Sequence, residues 1–196
     1  VFSAAATLVM NVTVIAQTQA PPAKSAERLA LQRGQEALRS GDIARARAEF
    51  EKAVRLAPSN ATARSALGWI LAQQGETDAA VVHLRAAIKA KPDLVEAHLT
   101  LASVLSQQGK AEEGEQEART ALKIAPNNAE AHRTLARILS QRPGDEALSE
   151  MRRAVELAPE RADLRDDLGT ILAQRNQFAE AEVAFKEALH LQPNLE

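Results

Sequence analysis

Apolar residues along this chain return every three or four positions, over stretches long enough for helices, and the stretches come in pairs. Between residues 42 and 56 the stripe is Ile43, Ala46, Phe50, Ala53 and Val54, one face of an amphipathic helix. The next pair of stripes, over 61–94, is carried by Leu67, Gly68, Leu71, Ala80, Leu84 and Ala87. Two kinds of residue punctuate them. Gly75 and Gly109 fall between the stripes of a pair, where a glycine takes positive φ and ends the first helix. Pro58, Pro92, Pro126, Pro159 and Pro193 follow the second stripes, because a proline cannot continue a helix without losing a hydrogen bond. The pattern predicts an all-α chain of paired helices, each about 13 residues and roughly 20 Å long.

The pairs are copies of one unit. From Leu67-Gly68, Leu71, Gly75, Ala80, Leu84, Ala87 and Pro92, a step of 34 residues lands on Leu101-Ala102, Leu105, Gly109, Gly114, Ala118, Ala121 and Pro126. The same step backward lands on Arg33-Gly34, Ala37, Gly41, Ala46, Phe50, Ala53 and Pro58. Leu168-Gly169, Leu172, Ala181, Phe185, Ala188 and Pro193 form a further copy. The interval from Pro126 to Pro159 is 33, one short, and the deletion is placed in the turn around Gln141-Arg142-Pro143-Gly144-Asp145, where loop length is cheap to vary. A fixed period in this range marks a stacked solenoid, in which no pair buries its apolar face without a neighbour.

A small residue after Leu, then an alanine, a bulky apolar residue, an alanine and a closing proline resembles the tetratricopeptide repeat (TPR) family. The resemblance covers residues 27–195 as five units, 27–60, 61–94, 95–128, 129–161 and 162–195. It implies an α-solenoid of five tandem helix-turn-helix repeats in a right-handed superhelix, with the first helices of the pairs lining a concave groove. In the family's register the groove positions are Thr62, Ser65, Trp69 and Gln73, then Glu96, Leu99, Ser103 and Gln107. Glu130, Arg133, Arg137 and Gln141 follow, then Asp163, Asp166, Thr170 and Gln174. Glutamine recurs at one groove position in four successive units, an apt lining for an extended peptide backbone. The resemblance implies a non-enzymatic scaffold that binds a protein or peptide partner. Its alternative is the repeat arm of a larger enzyme, such as a glycosyltransferase. The Lys/Asn clamp with which chaperone-binding members hold a terminal carboxylate is absent from these positions.

Composition narrows the classes. With 196 residues, 45% hydrophobic and a formal net charge of −2, the chain is neither a polyelectrolyte nor a multi-span membrane protein. No Lys/Arg cluster offers a face for nucleic acid. There is no cysteine, hence no disulfide, thiolate metal site or lipid-anchored cysteine. Aromatic residues are only 3%, which suits helices that approach through small side chains. Residues 1–22 differ from the rest: they are uncharged and apolar through Ile15, then small and polar up to Pro21-Pro22. They read as a secretory signal peptide over residues 1–20 that begins inside its apolar core, with a linker over 21–26. An uncleaved anchor is a second reading, though Asn11 and the threonines make it a short, weak one, and a disordered tail is a third. The expected location is the bacterial periplasm or cell envelope, with no membrane insertion of the mature domain.

No phosphate loop, nucleophile elbow or zinc helix is present, so no catalytic residue, metal ligand or cofactor is assigned. His98 and His132 occupy equivalent places one repeat apart and are assigned to helix-pair packing, since a period-related pair does not converge on one ion. Asp163, Asp166 and Asp167 stand opposite Arg133 and Arg137, as inter-repeat ion pairs or as a bipolar patch for a charged ligand. Trp69, the only tryptophan, is either a groove hot spot or a packing residue. The sequence stops at Pro193-Asn194-Leu195-Glu196, where the register calls for another helix. The flank of the fifth pair (Leu172, Val183, Leu189) is therefore expected to be uncovered, and the expectation is that the chain either is a fragment or self-associates end to end through repeat five. Export is expected to remove everything up to Ala16 or Ala20. Mass spectrometry of the protein from its native envelope checks this, and a mature form retaining Phe2 to Ile15 contradicts it.

Overall fold

The computed structural model describes residues 23–192; the expected signal segment and its cleavage sites lie outside them. Among the described residues the chain forms ten helices. They are α1 (Ala23–Arg39), α2 (Ile43–Leu56), α3 (Ala61–Gln73), α4 (Thr77–Ala90), α5 (Val95–Gln107), α6 (Ala111–Ile124), α7 (Ala129–Leu139), α8 (Glu146–Leu157), α9 (Ala162–Gln174) and α10 (Phe178–Leu191). Consecutive helices pack as five pairs, each pair stacks on the next, and first helices touch from pair to pair, as α3 with α5 and α5 with α7. This is the all-α solenoid of five stacked helix pairs expected of the pattern. One boundary differs. Residues 23–26, expected in a linker, already belong to α1, because after Pro21-Pro22 nothing in Ala23-Lys24-Ser25-Ala26 breaks a helix and proline is compatible with a helix start.

Local chemistry sets the helix limits. Asp42, Asn60 and Asn128 cap α2, α3 and α7, each accepting through its side chain from a backbone N–H three residues on. Gly75 and Gly109 have φ of 78° and 77°, and in the fifth pair Asn176 takes the same left-handed place at 62°. The missing residue of the fourth unit shortens the helices flanking its turn, leaving α7 with 11 residues and α8 with 12.

Within a pair the helices approach so closely that volume on one is matched by its absence on the other. A Cβ on Gly68 would lie 2.6 Å from Leu84 Cγ, and one on Gly34 or Gly169 would meet the ring of Phe50 or Phe185 at 2.9 or 2.6 Å. Where the first helix carries alanine instead, the partner is smaller or more adaptable: Ala102 packs in one cluster with Ala118, and Ala136 in another with Met151. The third pair adds Gly114, whose Cβ would meet the Ala102 carbonyl oxygen at 2.7 Å.

A second, polar device recurs at the start of the first helix in every pair from the second onward. Arg64 Nε donates to the Pro58 carbonyl at 2.5 Å, and Arg165 donates to the carbonyl of Pro159. At the matching places His98 Nε2 lies 2.9 Å from the Pro92 oxygen and His132 Nε2 3.0 Å from the Pro126 oxygen. The other ring nitrogen of each histidine faces a carboxylate on the second helix, Glu117 at 2.6 Å and Glu150 at 2.5 Å. In the fifth pair the Arg165 guanidinium likewise reaches a carboxylate of the second helix, Glu187 at 3.2 Å. The two histidines thus pack inside their own pairs, as expected, and also tie each pair to the proline turn before it. His83 stands in the second pair where Glu117 and Glu150 stand in the third and fourth. Its Nδ1 is buried without a partner, and burial together with the nearby Arg64 holds its pKa below the ordinary 6.5, outweighing the opposing pull of Glu51.

The terminal flank differs from its expectation in one residue. Leu172 is only 2% exposed and belongs to the core of the last pairs, because its place faces the partner helix as Leu71 and Leu105 do. Val183 is 55% exposed, but so is Val82 at 64% at the matching place of an interior repeat. Leu189, 47% exposed, is the residue left uncovered, since its counterparts Val54, Ile88, Leu122 and Val155 are partly buried against core clusters. No helix among the described residues is long and apolar enough to cross a membrane.

Gly114→Ala is expected to cost about 1–3 kcal/mol, since the clash is with a backbone carbonyl that cannot rotate away; chemical denaturation measures it. For His83, a depressed pKa means the unfolded chain binds the proton more readily. The stability it contributes is full above pH 6.5 and falls as pH drops through the lowered folded-state value. His83→Gln should flatten that part of the melting-temperature profile between pH 7.5 and 5, and His83→Glu, placing a carboxylate beside Arg64, should raise the melting temperature at pH 7.

Candidate functional site

The first helices present one exposed row after another on a common face. Two adjoining clefts run along it. The larger, about 590 Å³, is bounded by Trp69, Gln73, Glu96, Leu99, Thr100, Ser103, Gln107, Glu130 and Thr134 on α3, α5 and α7. The smaller, about 180 Å³, continues it past Arg137, Ile138 and Gln141 and shares Ser103, Gln107 and Thr134. Of the predicted groove residues, Trp69, Gln73, Leu99, Ser103, Gln107, Arg137 and Gln141 come together in this cleft. Thr62 and Ser65 lie on the first turns of α3, and Gln174 ends α9; none of the three lines it.

Each lining residue has a physical role. Trp69 is 38% exposed and forms a wall, whereas Leu99 is 8% exposed and clusters with Ala121 and Ala131, making it part of the floor. The hydroxyls of Thr100 and Ser103 donate to the carbonyls of Glu96 and Leu99 of their own helix, which leaves their oxygen lone pairs free to accept. Gln73 and Gln107 end α3 and α5, and no protein group partners their amides among the described residues. Gln141 lies two residues past the end of α7, on the shortened turn rather than on the helix, yet still reaches the smaller cleft. Ala72, Thr100, Val104, Ser106, Thr134 and Ile138 were not predicted. The one-repeat spacing of Thr100 and Thr134 was a usable signal for those two.

Past α7 the same face is closed by ion pairs. Arg133 Nη1 donates to Asp163 at 2.9 Å and Arg133 Nε to Asp167 at 2.5 Å. Arg161 donates to Glu130 at 2.9 Å and to Asp163 at 2.6 Å. The hydrogen bond from Arg161 holds the Asp163 carboxyl below the usual carboxylate range, with Arg133 adding to the effect and partial burial opposing it. Of the two readings of this cluster, inter-repeat pairing therefore holds for Arg133, Asp163 and Asp167. Arg137 and Asp166 take no part in it. Among the described residues no group of histidines and carboxylates is arranged to hold a metal ion.

Family models described as tetratricopeptide repeat match residues 31–95 and 139–196, and a second such model matches 71–138. The chain belongs to the tetratricopeptide repeat family. No curated protein sequence matches it significantly. Among solved structures it is similar to TTC0263, a thermophilic TPR protein of Thermus thermophilus, at 19% identity over 86% of this chain and 92% of that one, with a TM-score of 0.76. MamA from Desulfovibrio magneticus RS-1 is similar at 20% identity over 87% and 97%, with a TM-score of 0.70. YrrB, whose structure is described as a TPR protein with an unusual peptide-binding site, is similar at 22% identity over 84% and 86%, with a TM-score of 0.61. At these identities the likeness is one of fold.

Proposed function

We propose that this protein is a non-enzymatic interaction scaffold of a bacterial cell envelope, whose groove across α3, α5 and α7 holds an extended segment of a partner protein. The carrying observation is the unpartnered lining of the cleft. Gln73, Gln107 and Gln141 recur one repeat apart with no protein group bonded to their amides among the described residues, beside a half-exposed Trp69 and the acceptor oxygens of Thr100 and Ser103. Free amides suit a peptide backbone, which offers donors and acceptors at regular intervals, and an aromatic wall suits one apolar side chain. A peptide-binding site on YrrB, built on the same fold, supports the reading.

The test is affinity. Trp69→Ala should weaken binding of a partner recovered by cross-linking from the envelope by ~2 kcal/mol or more, with the helical circular dichroism unchanged. Undiminished binding by the variant contradicts the groove, and loss of helicity would make Trp69 a packing residue instead.

A further inference from the structure

The cleft's lining charges are unequal in a way that selects among peptides. Three charged residues line it: Glu96, Glu130 and Arg137. Glu130 is already neutralised, by Arg161 at 2.9 Å and Arg133 at 3.6 Å. Among the described residues no protein group pairs with the side chains of Glu96 or Arg137. On the second helices, by contrast, opposite charges pair in a ladder: Arg85 with Glu113, Arg119 with Glu146 and Arg152 with Glu180. One unpaired acid and one unpaired base are therefore left on the two sides of a cleft floored by Leu99 and walled by Trp69.

We infer that the groove is specific for an extended segment bearing a basic residue that pairs with Glu96, an acidic residue that pairs with Arg137, and between them an apolar side chain against Leu99, while Trp69, on the other side of α5, walls the groove where the segment continues. The inference rests on the groove reading above and adds the chemistry of its occupant. Spacing follows from the helices. Glu96 stands in the first turn of α5, and Arg137 sits near the end of α7. In helix register the two are offset by roughly 10 Å along the axes and by one helix separation of roughly 9 Å across them. The diagonal, roughly 14 Å, corresponds to about four residues of extended chain. A segment with two like charges at this spacing would set like against like at one end in either direction, so the pair acts by rejection as well as attraction. Both side chains lie in solvent, so their selectivity should weaken as salt rises.

A randomised heptapeptide display library panned on the full chain at low salt tests this, with Trp69→Ala as the control for groove binding. The expected outcome is enrichment of Lys or Arg about four positions from Asp or Glu, in either chain direction, with an apolar residue between. Glu96→Gln should cut the enrichment of the base at least tenfold while leaving that of the acid, Arg137→Gln should do the reverse, and Glu96→Asp should restore the base. Peptides that depend on Trp69 but carry no charge pattern, or whose pattern survives both glutamine variants, overturn this inference and leave the groove reading standing. Failure to enrich any peptide that depends on Trp69 overturns both.

Discussion

The close approach of the two helices in each pair is the constraint on which the rest of this structure depends. Three pairs reach it with a glycine beneath Phe50, Leu84 or Phe185, and two reach it with an alanine beneath Ala118 or Met151. The summed volume matters more than the identity of either residue, which is how interiors packed to crystal-like density behave. Because the residue that meets this small position comes from the second helix and points at the first, the first helix turns its opposite side outward. Repeated through the stack, that side is the groove. The glycines beneath Leu84 and Phe185 thus determine which residues of α3 and α9 are free to meet a partner.

Polar groups finish what apolar volume begins. Each pair from the second onward is tied to its own proline turn by a cationic or imidazole side chain six residues on, while second helices are joined by Arg–Glu rungs. Exposed rungs of this kind contribute little to stability one at a time. On the groove face a separate set of pairs, between first helices, decides which charges remain to be used. The network of Arg133, Arg161, Glu130, Asp163 and Asp167 seals the face beyond α7, so the open cleft is confined to the middle of the solenoid.

Much of this was legible beforehand because glycine, proline and asparagine act through the backbone, and backbone requirements repeat with the fold. Gly75, Gly109, Pro92 and Asn128 mark turns and caps where the residues themselves stand. The proline tie was not legible. Its donor changes between Arg and His, and its acceptor is a main-chain oxygen, which leaves no trace in side-chain identity. Nor could spacing foretell that Leu99 would sink into a cluster with Ala121 and Ala131 while Trp69 stayed at the wall. Both were read as groove, but they stand in different rows, Leu99 in that of Ser65 and Trp69 in that of Ser103. Gln141 fell off its helix for a plainer reason, since a turn one residue shorter drew the end of α7 back with it.

The proline tie has a consequence for how the chain acquires its shape. Its partners are six residues apart, the paired helices are neighbours in sequence, and the inter-repeat ion pairs reach no farther than the following unit. Almost every contact is therefore local, and the entropy of loop closure is met in small, nearly equal steps. A growing chain of this design gains a nucleus with its first complete pair and lengthens it as each further pair docks, without waiting for a distant segment to arrive. The groove, spread over three first helices, takes form only when the fourth unit has docked.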